Sequence, residues 1–204
     1  MVKYYRSEHI YDHDFTTAAM SFFLRYPNPY SRHVRSTDTI SRHIDSEGRL
    51  HSTRLILKKG KLPEWFTTLF ASTSYAKISE SWVLEESIVD PKKEEIVSIV
   101  RNLDYRKLMS VKEYTRYQGI PAGNGVGQRA KVEQSAHVRI SSNLGLRMMR
   151  ERIEVWGQTR FRENLVKSRM GMQFVMDKFR EQGGRMKGFK TAMQTALSQD
   201  PVVL

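Results

Sequence analysis

The 204-residue chain contains no cysteine. That removes disulfide frameworks, thiolate metal sites, cysteine nucleophiles and C-terminal prenylation, while leaving the redox compartment open. No apolar run approaches the 18 residues that a membrane-spanning helix needs, FFL at 22–24 being a typical length. The opening MVKYYRSEHIYDHDF has no signal-peptide apolar stretch and carries acids too early for an Arg-rich transit peptide. Catalytic signatures are also scarce. His9, His13, His33, His43, His51 and His137 form no HExxH and no ligand trio at metal spacing, and GxSxG does not occur. The stretch GIPAGNGVG (119–127) lacks the GxGxxG spacing and the lysine of a phosphate loop, and reads as a hairpin loop. The pairs Glu85/Glu86 and Glu94/Glu95 read as solvated alternating or turn residues. These absences argue against an enzyme and give no sign of a cofactor.

Negative charge is also in short supply. Thirty-four basic residues face 22 acidic ones, for a net charge of +12 and a pI near 9.9. Such a surface suits an anionic partner: nucleic acid, an anionic membrane or an anionic small ligand. The 39% hydrophobic and 27% charged content is that of a globular chain, long enough to bury a core as one domain.

Residues 2–11 read as a strand, and Asp14 can cap a short helix carrying Phe15, Ala18, Ala19, Phe22 and Phe23. Pro27 and Pro29 stop that helix near Tyr26. Segments 33–44, 49–59, 78–90, 94–104, 107–118 and 129–141 read as strands joined by short links, the pattern of an antiparallel meander. One long helix follows from Asn143 to about Gln182, ended by Gly183–Gly184. The tail, 183–204, is expected to be a short helix or disordered. The fold class is α+β in one domain, 1–182.

Three places carry unexpected residues. On the long helix, steps of three and four give the apolar stripe Met149, Ile153 and Trp156, then Arg160, Asn164 and Lys167, then Gly171 and Phe174. Either the helix drifts and leaves these groups in solvent, with Phe161, Leu165, Met172 and Val175 buried instead, or they line the polar end of a cavity that holds an anion. On strand 49–59, Arg54, Ile56 and Lys58 share one face, which by ordinary preference is the wet side, and Thr53, Leu55 and Leu57 share the other. In 59–75, Leu62, Trp65, Phe66, Leu69 and Phe70 cluster beside Lys58, Lys59 and Lys61. That segment is either a short helix folded on the core or a lid that touches a bilayer interface.

Taken together, RYPNPYS (25–31) with His33–Val34, DTISRHIDSEGRLHSTRL (38–55), KKGKLPEW (58–65), WVLEESIVDP (82–91), RNLDYRKLMSVKEYTRYQ (101–118) and the run from Trp156 through Asn164 to KSRMGM (167–172) resemble the PRELI (Ups/slowmo) family of mitochondrial phospholipid-transfer proteins. The resemblance covers roughly 1–182 and is closest to the phosphatidic-acid carriers. It implies a curved seven-stranded antiparallel sheet closed by the long helix around a lipid cavity, with 60–75 as lid. It further implies residence in the intermembrane space without a cleaved presequence, peripheral contact with anionic membranes, and a small twin-CX9C helical-hairpin protein as partner. Carried over by position, the headgroup cations are Arg25, His33, Arg54, Lys58, Lys61, Arg160 and Lys167, with Asn164 as hydrogen-bonding neighbour. The phosphatidylserine branch and a basic nucleic-acid-binding module are the alternatives.

Overall fold

The computed structural model describes residues 2–60, 62–69, 71–72, 79–123, 130–145 and 147–181. The expected tail (183–204), residues 124–127 of the 119–127 loop, Lys61 and Phe70 lie outside the described residues. In chain order the elements are β1 (Lys3–Tyr11), α1 (Phe15–Leu24), β2 (Val34–Ile44), β3 (Leu50–Lys59), α2 (Glu64–Leu69), β4 (Glu80–Asp90), β5 (Glu95–Asn102), β6 (Ser110–Ile120), β7 (Lys131–Ser141) and α3 (Arg147–Glu181). All seven strands form one antiparallel sheet, ordered β1-β7-β6-β5-β4-β3-β2. Strands β2 to β7 are the expected meander, and β1 closes on the far side of β7. The α+β reading holds.

Local chemistry sets the element ends. The Asp14 carboxylate accepts from the Thr17 amide at 2.9 Å and the Thr17 hydroxyl at 2.7 Å, an N-cap worth about 1 kcal/mol. Helix α1 ends at Leu24, just ahead of Pro27 and Pro29, and the Arg25 side chain turns back and donates to the Phe22 carbonyl at 2.5 Å. Residues 107–109, expected as strand, instead belong to a loop that Asn102 ties across. Its Nδ2 donates to the carbonyls of Asp104 (2.7 Å) and Met109 (2.9 Å), and its Oδ1 accepts from the Val111 amide (2.8 Å).

Helices α1 and α3 lie on one face of the sheet, and the core between them is split. One apolar cluster joins Tyr11, Phe15, Ala18 and Phe22 to Leu50, Val89, Ile96, Tyr117 and Val132, and to Met172 and Met176 near the end of α3. The other joins Phe66 of α2 to Leu108 and Ile153, with Leu62, Trp65, Met109, Leu144 and Trp156 packed around them. Close approach of α3 to the rest depends on glycine at two points. A Cβ at Gly157 would stand 2.6 Å from Met109 Sδ, and one at Gly171 would stand 2.7 Å from the Asn28 side-chain amide. The second contact brings RYPNPYS and KSRMGM, distant in sequence, together in space.

Within the 59–75 segment, Glu64–Leu69 form the short helix α2. Phe66 is 0% exposed and Leu62 and Trp65 are half-buried, with the Arg152 guanidinium 4.2 Å above the Trp65 ring, whereas Leu69 is 59% exposed.

Candidate functional site

A cavity of about 840 Å³ lies between the two apolar clusters, within the range of pockets that hold small organic molecules. Its walls are Phe22, Ile56, Val83, Leu108, Ile153, Trp156, Phe161 and Leu165. The inner sheet face supplies a floor of a different kind, legible as rows across the strands. One row runs Arg54, Glu85, Val100, Glu113, Val138; the next runs Ser52, Ser87, Ser98, Thr115, Ala136. Small hydroxyls and charged groups thus occupy positions where a continuous core would carry bulky apolar residues, and the space above them stays open.

Two of these findings correct the sequence reading. The face of β3 that carries Arg54, Ile56 and Lys58 is the inner one, and Leu55 and Leu57 are half-buried on the outside. Glu85 is 0% exposed, not a solvated alternating residue. The two corrections have one cause. Glu85 Oε1 accepts from Arg54 Nε at 2.7 Å and from Arg54 Nη2, while Glu85 Oε2 accepts from Arg25 Nη2. Two guanidiniums and one carboxylate form a buried triad of net charge +1, with Arg25 8% and Arg54 2% exposed. Arg54 also donates to the carbonyls of Phe23 (3.0 Å) and Phe22 (3.4 Å). Both arginines therefore satisfy the last carbonyls of α1 and meet the negative end of its dipole.

Burial alone would disfavour the Arg25 charge; Glu85, with the Tyr26 and Tyr117 phenols, outweighs it and holds that guanidinium above its ordinary value. Burial pushes the Glu85 carboxyl up, and Arg25 and Arg54 more than reverse this, leaving it below the usual carboxylate range.

The remaining expected residues occupy distinct depths. Arg25, His33 and Lys58 line the interior with Glu85 and Glu113, whereas Arg54 lies behind Glu85, outside the lining. Arg160, Asn164 and Lys167 line the cavity and are exposed, which marks its opening along α3. The two readings of the helical stripe are therefore not exclusive: Leu165 and Met172 take the buried face, and the polar groups are wet yet border a cavity. Arg160 is paired with Glu163 on its own helix at 2.9 Å. His33 is not a cation. Burial, with the charges of Lys58 and Lys167, lowers its pKa to about 4, so near neutrality it presents a neutral ring. Of the residues expected to form a lid, Leu62 alone among those described lines the cavity. Sequence reasoning missed Glu85, Glu113, Ser98 and Thr115; their i, i+2 alternation with buried neighbours was the available signal.

An antiparallel sheet and a long C-terminal helix packed on one of its faces, with an apolar-walled, polar-floored cavity between them, define a helix-on-sheet α+β fold. Solved structures share it at low identity: the Zhui aromatase/cyclase from Streptomyces sp. R1128 (TM-score 0.56, 4% identity, 88% of this chain and 96% of that one) and TTHA0849 from Thermus thermophilus (TM-score 0.51, 11% identity, 85% and 97%). That likeness concerns the fold alone. The particular family is fixed by sequence. The chain belongs to the PRELI-like family, whose profile matches residues 16–182. It is 42% identical over 181 residues to Protein UPS1, mitochondrial, of Saccharomyces cerevisiae, covering 89% of this chain and 97% of that protein. It is 29% identical over 197 residues to human PRELI domain-containing protein 1, mitochondrial, covering 96% and 83%.

Proposed function

We propose that this protein is a carrier, not a catalyst, that takes one phospholipid, phosphatidic acid foremost, from one mitochondrial membrane and delivers it to another across the intermembrane space. Family membership supports the general activity, mitochondrial lipid transfer. The observation that carries the particulars is the cavity itself, which combines apolar walls with Arg25, Lys58 and Lys167.

The physics asks for this combination. Two acyl chains hold roughly 30 methylenes, and exposing them at about 0.8 kcal/mol each costs on the order of 20 kcal/mol. Free diffusion through water is then negligible, and a carrier must supply apolar walls. A phosphate monoester brings about −1.5 to −2 charge at neutral pH. Its desolvation is offset only by fixed cations with good hydrogen-bond geometry. Arg25 is fixed by Glu85, whereas Lys58 and Lys167 approach from β3 and α3. The α2 segment acts as the lid: exposed Leu69, half-buried Trp65 and Lys59 would meet an anionic bilayer while Leu62 withdraws from the cavity. A small twin-CX9C helical hairpin is the proposed partner. Without a cysteine in this chain, it would bind by surface complementarity and not through a mixed disulfide.

The test is transfer between donor and acceptor liposomes carrying phosphatidic acid, phosphatidylserine or phosphatidylcholine, together with extraction of the natively purified chain. Headgroup-dependent transfer and co-purified phospholipid support the carrier. Co-purified RNA without transfer would favour the nucleic-acid-binding alternative.

A further inference from the structure

The cations do not account for the whole cavity. On the floor, β5 and β6 set Ser98 directly opposite Thr115, and Glu113 lies two residues along β6 from Thr115 on the same face. All three line the cavity. The Ser98 side chain is 2% exposed, yet its Oγ has no hydrogen-bond partner among the described residues. A buried hydroxyl left without a partner is costly, so one facing an open cavity points to a group that arrives from outside the chain. Glu113 is similarly incomplete. Its one hydrogen bond among the described residues comes from the Thr115 hydroxyl to Oε1, at 3.1 Å, leaving the second carboxyl oxygen unengaged. It is no counterpart of Glu85: Val100 separates them across the sheet, two strand spacings or about 10 Å, and no guanidinium among the described residues pairs with Glu113.

Resting on the carrier reading above, we propose that Ser98 and Glu113 form a second headgroup subsite, which selects phospholipids whose headgroup carries its own hydrogen-bond donor. Ser98 donates to a phosphate oxygen, and Glu113 accepts from the P–OH of a phosphate monoester or from an ammonium. Arg25 and Lys58 attract any phosphate; a carboxyl beside them penalises one that offers no donor in return. An anionic phosphodiester with a plain methyl cap carries charge but no donor, and is disfavoured. Burial pushes the Glu113 carboxyl above its ordinary value against the pull of Lys58, Thr115 and Arg25. It is therefore suited to share a proton with a phosphate monoester, as two acids held at close range do.

The experiment compares the full-length parent with Ser98→Ala and Glu113→Leu. Lipid extracted at equilibrium is measured from phosphatidylcholine vesicles doped with phosphatidic acid, phosphatidylserine or phosphatidylmethanol, and thermal melting is followed in parallel. The last two lipids have similar net charge and differ in the donor. Ser98→Ala should lower extraction of phosphatidic acid roughly threefold to tenfold, with a melting temperature equal to or above the parent's, because an unpartnered buried hydroxyl is removed. Glu113→Leu should narrow the preference for donor-bearing lipids over phosphatidylmethanol by roughly tenfold. If both variants keep the parent's extraction and its lipid ratios, or lose all three lipids equally, the subsite is refuted. If Glu113→Leu does not fold, Ser98→Ala decides alone. A parent that extracts no phospholipid refutes the carrier reading instead.

Discussion

Replacing Glu85 with glutamine keeps the side chain's volume and removes the one negative charge between Arg25 and Arg54. The triad then changes from net +1 to +2 inside a site where Arg54 is 2% exposed. Stranding buried charge by removing its partner costs about 3–5 kcal/mol, a large part of the ~5–15 kcal/mol that holds a domain together. At roughly 2–4 °C per kcal/mol for a chain of this size, Glu85→Gln should melt about 6–20 °C below the parent. Arg25→Ala should cost less, because the Arg54–Glu85 pair that remains is neutral, yet it should abolish headgroup-dependent extraction.

Acid supplies an independent check. The native Glu85 carboxyl titrates below its ordinary 4.5, so the stability it contributes is complete above that pH and is lost as pH falls through the native value. The gap between parent and Glu85→Gln should therefore shrink below about pH 4.5. Thermal and urea melts across pH measure both quantities. A variant within about 2 °C of the parent at neutral pH, or a gap that does not close in acid, would refute the reasoning.

Lys167 is exposed and lines the cavity mouth, so Lys167→Ala should leave melting unchanged while lowering phosphatidic-acid transfer roughly tenfold or more; equal transfer in liposomes would remove it from the site. His33, with its pKa held at about 4 against an ordinary 6.5, binds its proton later than the unfolded chain does, so stability should fall as pH drops from 6.5 to 4. His33→Gln should remove that part, reducing the protons taken up on unfolding in this window by up to about one, as read by melts in buffers of stepped pH. In α2, Phe66→Ala should cost about 3–5 kcal/mol and Leu69→Ala almost nothing in a urea melt. In a variant that retains Trp65 as its single tryptophan, emission should shift to the blue on anionic vesicles and return at high salt; no shift at any lipid concentration would rule out the lid.

Period-2 and period-3.6 patterns, the Asp14 cap and the proline stop after α1 were legible in the chain, because each is set by neighbours a few residues away. So were the element order and the membership that the long motifs carry. Alternation divides a strand into two faces without saying which one is inside. For β3 that choice depended on Glu85, 31 positions along, whose burial makes an inward Arg54 tolerable. The expectation that charged faces are wet failed at this strand for that reason. Tertiary structure also decided where the core divides, since Phe66 joins Ile153 and Leu108 only after α2 folds back. It decided that His33 is neutral, because burial, with the charges of Lys58 and Lys167 from separate elements, lowers its pKa to about 4. The Ser98–Glu113 floor exists only in the register of β5 against β6. A linear sequence states which groups are present; burial, charge state and the partners of a buried group arise from distances that only the folded sheet and helices set.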